Sequence, residues 1–389
     1  MPAGERQRVF VDLAPLSADG SNGGAARFVL GLLRALVARE DAHRYCALVK
    51  PEAAAAVAPL RGPAFEVLVL GQAIAEPLRI RRELRRLPLP VARLIPDAAS
   101  LKNLGADVLF SPLFTTLFCE PGLPHVAIAY DFQELSHPGF FDARERSRRR
   151  AFRADLLRAD RVVAISSETK KDAVEKAGLE PERVTVVPPV VGPARIPLGA
   201  EEQARILGSL RLSAGSYAAY PANYWPHKNH ERLLAAFTRA RKSRPEMALV
   251  LCGALDAARQ WLIAQARNRG LSDAVRVFPY LSEDEVTAIL QGARFLIFPS
   301  FWEGFGIPVL EALSLGTPVA CSDLPVLREV AGENALYFNP EDEISIADAL
   351  ELLWRGGHTR EALAEGGRSR AARYAAIDVA GAYHRLLTF

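Results

Sequence analysis

Glu303 and Glu311, with seven residues between them in the run FWEGFGIPVLE, are the side chains whose type and spacing say most about chemistry. Residues 295–300, just ahead, form a short apolar run that reads as a buried strand. Pro308 then suits the first turn of a helix carrying Val309, Leu310, Ala312 and Leu313, and Gly316-Thr317-Pro318 ends that helix. The loop is thereby placed where a strand stops and a helix starts. Exposed amides and the helix dipole favour an anion such as a diphosphate there, and Gly304 and Gly306 let the backbone approach it closely. Carboxylates beside phosphates would repel them, so the natural partners of Glu303 and Glu311 are hydroxyls, which a sugar and a ribose supply. Read alone, the pair fits equally well as solvated groups flanking a turn.

The elements that would position this loop follow from the whole chain. Its 389 residues are too many for one ordinary core. Short apolar runs alternate with longer amphipathic ones: residues 8–13 then 25–39, 161–165 then 168–177, and again 216–220, 231–241, 248–252, 258–269, 275–278, 283–290 and 295–298. That alternation predicts parallel sheets with crossover helices. Between the two series, residues 186–198 carry Pro188, Pro189, Gly192, Pro193 and Pro197, a stiff connection rather than a helix or central strand. The expectation is an α/β chain of two doubly wound, Rossmann-like domains, residues 1–195 and 196–370, with residues 371–389 forming a C-terminal helix that packs back on the first domain. Ligands of open α/β sheets bind beyond the carboxyl ends of the strands, so two such domains facing each other would place the chemistry in a cleft.

Composition narrows the classes further. Half the residues are apolar, so the chain is globular, while no apolar run is long enough to cross a bilayer. The N-terminus lacks the succession of a signal peptide, and a cytoplasmic location is expected. Cys46, Cys119, Cys252 and Cys321 are too scattered for a zinc site or a disulfide framework and read as reduced core thiols. No Asp-x-Asp or His/Cys cluster suggests a metal, and no cofactor is expected. Net charge is +3, yet residues 1–195 hold 28 Lys/Arg against 23 Asp/Glu and the remainder 20 against 22. Residues 79–93 and 144–153 each contribute six Arg against one Glu. In the first window Arg79, Arg81, Arg82, Arg85, Arg86 and Arg93 interleave with Leu78, Ile80, Leu84, Leu87 and Leu94, a short amphipathic pattern that predicts contact with an anionic membrane surface, peripheral at the inner face of the cytoplasmic membrane. No nucleic-acid partner is expected.

Glu303 and Glu311 inside FWEGFGIPVLEALSLGTPV resemble the E-x7-E signature of the retaining GT-B glycosyltransferases of family 4. The similarity extends to SNGGAARFVLGLLRAL, YDFQELSHPGFF, VVAISSETKKDAV, YPANYWPHKNHERLLAAF and VRVFPYLSEDEV. The resemblance implies that Glu311 binds the nucleotide ribose, that Glu303 lies near the hydroxyls of the donor sugar, and that the amides of Phe305, Gly306 and Ile307 hold the diphosphate. It implies that Lys228 stabilises the charge developing on the departing diphosphate; read alone, Lys228 fits an exposed helix flank, with Asn229 beside it as a helix N-cap. Many relatives carry an arginine five or six residues earlier, where this chain has Ala222 and Asn223, so one phosphate cation is missing or relocated; His227 is a weak substitute. The turn at Pro279 and Tyr280 corresponds to the base-binding turn, and Gly23 and Gly24 to the Gly-rich loop facing the phosphates and the acceptor. In Ala129-Tyr130-Asp131 many relatives have His-Asp and use the histidine near the donor sugar; here Tyr130 takes its place and can still hydrogen-bond a sugar hydroxyl, no general base can be assigned, and Asp131 is a candidate for acceptor binding.

The implied reaction is retaining transfer of a hexose from a nucleotide-sugar to a glycan or lipid-linked glycan, without a metal. WPHKNH and EGFGIP look like mannosyl- and rhamnosyltransferases of bacterial surface polysaccharide synthesis, which makes GDP-mannose the first expectation for the donor. A nucleotide-sugar 2-epimerase shares the architecture, and a non-catalytic nucleotide-sugar-binding protein is the remaining alternative.

Overall fold

The computed structural model describes residues 6–17, 23–70, 100–114, 118–253 and 256–389. The chain divides into two compact units, Met1–Val191 with Asp378–Phe389 (unit 1), and Gly192–Ile377 (unit 2).

Unit 1 is built on seven strands: β1 (Arg8–Asp12), β2 (Arg44–Val49), β3 (Phe65–Val69), β4 (Val108–Ser111), β5 (His125–Ala129), β6 (Arg161–Ala164) and β7 (Val184–Val186). All pair in parallel, in the order β3-β2-β1-β4-β5-β6-β7. β4 and β5 are buried along their whole length, as a sheet covered on both faces requires. The Gly23–Val37 helix follows β1 and turns Phe28, Val29, Leu32, Leu33 and Leu36 inward at helical spacing. The tail closes on this same unit. The Val379–Leu386 helix packs against the Gly23–Val37 helix and buries Tyr383 between Phe28 and Phe110, with ring centroids 6.2 and 5.8 Å away. Arg161 ties the end of the chain down by donating to the carbonyls of Leu386 and Thr388, with its guanidinium over the Phe389 ring.

Unit 2 repeats the design with β8 (Ala218–Pro221), β9 (Leu249–Cys252), β10 (Val275–Phe278), β11 (Phe295–Phe298), β12 (Val319–Ser322) and β13 (Leu336–Phe338), parallel in the order β10-β9-β8-β11-β12-β13. The strand order reverses between β8 and β11, which pair through Phe295 with Ala218 and Leu296 with Ala219. That reversal opens the crevice in which a doubly wound sheet binds its ligand, because the connections leave β8 and β11 toward opposite faces. The same reversal occurs in unit 1 between β1 and β4.

Among the described residues no helix is long and apolar enough to cross a membrane. The basic segment 79–93 lies outside the described residues. Cys46, Cys252 and Cys321 are buried free thiols, and Cys119, half-buried, places Sγ 3.1 Å from His125 Nδ1.

Candidate active site

β11 is apolar and buried throughout, and the chain leaves it through Pro299 and Ser300 into the glycine-bearing loop. Gly306 takes φ 99° and stands at the N-terminus of the Ile307–Leu315 helix, which no side chain caps. Two features favour glycine there. The positive φ disfavours any L-side chain, and a Cβ would lie 2.6 Å from Leu327 Cδ2. Phe305 is buried and meets Tyr374 edge-on, which fixes the loop from below. The first-turn amides are thus aimed from a rigid support, the arrangement that suits an anion.

Lys228 arrives from the neighbouring strand. β8 runs into a short 3-10 turn, Pro226–Lys228, and Asn229 follows in the left-handed region at φ 58°. Asn229 occupies the helix-start position, but its side chain does not cap the helix, which corrects the expected role. Its amide instead donates to the carbonyls of Pro299 at 3.0 Å and Pro340 at 2.9 Å, bracing the β8 turn against the loop after β11. Tyr220 strengthens the brace: its hydroxyl donates to the Lys228 carbonyl at 2.9 Å and lies 3.1 Å from Ser300 Oγ. The Phe301 amide donates to the His227 carbonyl. So positioned, Lys228 Nζ donates to Glu303 Oε1 at 2.6 Å, and the two side chains are 15% and 10% exposed. Residues 75 apart in sequence form one charge-assisted contact at the switch point of the sheet.

Glu311 lies one helical turn into the Ile307–Leu315 helix and is 3% exposed. Its partner is Arg195, whose Nε is 3.4 Å from Glu311 Oε1 and whose Nη1 donates to the Glu283 carbonyl and to Thr287 Oγ1, both at 2.8 Å. Sequence reasoning missed Arg195. It comes from the Pro-rich connector, and the sequence carries no local sign that it folds into unit 2. Ala222 and Asn223, where relatives carry an arginine, are half-buried at the end of β8. Gly253 packs directly on them, since a Cβ there would stand 2.2 Å from the Ala222 carbonyl oxygen. At the end of β10 the Tyr224 hydroxyl donates to the Phe278 carbonyl at 2.7 Å and holds the start of the Pro279-Tyr280 turn, with Tyr280 61% exposed.

Burial dominates the titration of the supporting groups. It pushes the Tyr220 phenol well above its ordinary value, with the Glu303 carboxylate adding to the shift. It also lowers His230 to about 3, helped by the Lys228 cation. His230 is therefore neutral near pH 7, stacked on Tyr220 with centroids 4.8 Å apart.

In unit 1, Gly23 takes φ 53° and opens the Gly23–Val37 helix, with Gly24 exposed beside it. Tyr130 is buried, with Phe114 packed at 4.9 Å and its hydroxyl donating to the Pro112 carbonyl at 2.7 Å. Its proton is thus engaged within the unit. Asp131 accepts from Arg149 Nη1 at 2.6 Å, in a network that also joins Glu134, Glu145 and Arg153. Burial works against the Arg149 cation, but Asp131 and the neighbouring carboxylates outweigh it and raise its pKa. The basic run 144–153 is therefore partly an internal ion-pair network. Among the described residues no group of three or more His, Cys, Asp or Glu side chains could hold a metal ion.

Residues 22–195 match the family description "Glycosyltransferase Family 4" and residues 213–370 match "Glycosyl transferases group 1". The chain is a glycosyltransferase of family 4, with the GT-B architecture of two parallel α/β sheets. It is 28% identical over 259 residues to the O-antigen chain mannosyltransferase B of Escherichia coli, covering 62% of this chain and 67% of that protein. It is 37% identical over 131 residues to the O-antigen chain mannosyltransferase RfbU of Salmonella typhimurium, covering 33% of this chain and 36% of that protein. The matched stretches thus span from about a third to two thirds of these relatives' lengths. Among solved structures, the Anabaena protein HepE, in complex with UDP and glucose, superposes with a TM-score of 0.74 at 15% identity over 98% of both chains. WaaG, a glycosyltransferase involved in lipopolysaccharide biosynthesis, gives 0.71 at 18% identity over 98% of this chain and 99% of that one. Family membership sets aside the epimerase and non-catalytic readings.

Proposed function

We propose that the chain transfers a hexose, with mannose from GDP-mannose as the first candidate, to a glycan or lipid-linked glycan, with retention of anomeric configuration. Unit 2 binds the donor. The diphosphate lies at the Gly304–Ile307 turn against the first-turn amides, Glu311 accepts from the ribose hydroxyls, and Tyr280 sits beside the base. Glu303 accepts from hydroxyls of the donor sugar. Lys228 exchanges its carboxylate partner for the diphosphate, where the negative charge grows as the glycosidic bond breaks. Arg195 orients Glu311 and supplies a cation that positions 222 and 223 lack. Unit 1 binds the acceptor near Gly23, Gly24 and Asp131. No side chain here is assigned as general base; the departing diphosphate takes the acceptor proton.

The observation that carries this reading is the Lys228–Glu303 contact at the sheet's switch point, next to the uncapped helix start at Gly306. The mannosyltransferase relatives support the choice of sugar. A thermal-shift series with GDP-, UDP- and dTDP-sugars tests the donor, since a ligand of the native state raises the midpoint by mass action. The reading expects the largest rise with GDP-mannose and release of GDP that depends on added acceptor. A rise with UDP-sugars alone would replace the donor, and release that ignores acceptor would remove the transfer.

A further inference from the structure

Unit 2 carries a cavity of about 550 Å³ that the transfer site does not use. Its walls come from the starts of the His230–Ser243 and Asp256–Asn268 helices and from Tyr224, Trp225, Asn229, Phe301, Arg269 and Glu343; Tyr224 and Asn229 also brace the turns that carry Tyr280 and Lys228, while Glu303, Glu311, Lys228, Gly306 and Tyr280 themselves are not among them. Its size falls within the range of about 300–1,000 Å³ typical of small-molecule sites.

Two features of its lining point to one kind of ligand. Trp225 and Trp261 both line it and are each 44% exposed, so two indole faces that could have been buried are left to solvent. The charges cancel, since Arg232 and Arg269 stand with Glu231 and Glu343, and the Arg232 guanidinium lies 5.0 Å over the Phe301 ring. A phosphate-bearing ligand would find no excess of positive charge. A neutral ligand with apolar ring faces and many hydroxyls would match both: its C–H faces stack on the indoles, and its hydroxyls bond the planar charged groups.

We propose that this cavity is a second carbohydrate site, which holds a neutral hexose chain on the donor-binding unit without using the transfer-site side chains. Such a site would retain a growing glycan between successive additions and raise its effective concentration at the enzyme. The proposal does not depend on which nucleotide-sugar is the donor.

Calorimetry of the full chain with α-mannotetraose, maltotetraose and β-galactotetraose tests it. At least one tetrasaccharide should bind, and saturating GDP or UDP should not displace it. Trp261→Ala should weaken that binding by roughly tenfold. Ala258→Trp, which fills the cavity from its own wall, should abolish it. Neither variant should change release of nucleoside diphosphate with a monosaccharide acceptor. The inference is overturned if no tetrasaccharide binds, if a nucleoside diphosphate displaces the bound one, if both variants bind as well as the native chain, or if Trp261 instead proves necessary for binding vesicles of phosphatidylglycerol.

Discussion

Replacing Lys228 by methionine separates the structural from the chemical value of its contact with Glu303. At 2.6 Å and an effective dielectric of about 20, the gross attraction is about 6 kcal/mol, most of it offset by the desolvation of both groups. Removing one partner of a fully buried pair costs about 3–5 kcal/mol. Here the side chains keep 15% and 10% exposure, so water rescues part of the stranded carboxylate and we expect a loss of about 1–3 kcal/mol. For a unit of this size that is about 2–4 °C in melting midpoint per kcal/mol. The loss in rate has a different origin. A preorganised cation facing a developing anion is worth about 3 kcal/mol, or roughly 100-fold in kcat. Adding Glu303→Gln leaves neither charge stranded, so Lys228→Met/Glu303→Gln should recover most of the stability and none of the rate. Differential scanning fluorimetry and an assay of acceptor-dependent nucleoside diphosphate release read the two quantities separately. If the double variant regains activity together with stability, or if Lys228→Met alone turns over within threefold of the native chain, the contact is only a structural ion pair and the assignment of the leaving-group cation fails.

Glu311→Ala and Arg195→Ala should each weaken nucleotide-sugar binding at least tenfold by calorimetry, with kcat less affected than KM; unchanged binding in both would remove the ribose assignment. Tyr130→Phe should cost about 1–3 kcal/mol by leaving the buried Pro112 carbonyl without its donor, and a rate loss without any loss of stability would show that the phenol acts on substrate instead. His230 titrates near 3 in the folded chain against about 6.5 when unfolded, so the stability it confers is complete above pH 6.5 and is lost as pH falls toward 3. Between pH 6.5 and 5 that amounts to roughly 1.5–2 kcal/mol. All four tryptophans lie in unit 2, so intrinsic fluorescence reads its unfolding, and His230→Phe should flatten the slope. An equally steep slope in that variant would place the titration elsewhere. An Arg81/Arg82/Arg85/Arg86→Ser variant should lose low-salt co-sedimentation with anionic vesicles, each arginine contributing about 1 kcal/mol; a native chain that stays in the supernatant would direct the search to soluble acceptors.

The alternation of buried strands and amphipathic helices was legible because it is local. The predicted strands at 275–278 and 295–298 coincide with β10 and β11, and the helix expected at 231–241 is His230–Ser243. The E-x7-E loop was legible for the same reason: glycine, proline and strand signals all fall within one short stretch. What the sequence hid are pairings set by tertiary packing. Nothing near Arg195 announces a partner 116 positions away, and nothing in Asn229 distinguishes an N-cap from a brace, since both uses need the same short amide. Tyr130 read as a sugar contact by analogy of position, whereas an adjacent carbonyl and Phe114 draw its ring inward.

The charges of the proposed donor site share one arrangement, in which each is paired within the protein before any ligand arrives: Lys228 with Glu303, Arg195 with Glu311. Isolated, any of the four would carry a desolvation cost of several kcal/mol at these exposures. Paired, they are held at nearly fixed positions by the β8 and β11 loops, by the Ile307–Leu315 helix and, for Arg195, by its bonds to the Glu283 carbonyl and Thr287. A nucleotide-sugar presents diphosphate and hydroxyls together, so it can satisfy both members of a pair at once, the cation through phosphate and the carboxylate through hydroxyl. A nucleoside diphosphate offers no hexose hydroxyl to Glu303, and a free hexose offers no anion to Lys228. Each would break the Lys228–Glu303 pair while compensating only one side of it. Selection of the intact donor over its product then follows from the pairing itself, and it predicts that Glu303→Gln narrows the ratio of nucleotide-sugar to nucleoside diphosphate affinity. A ratio unchanged in that variant would show that the donor is recognised without opening the pair.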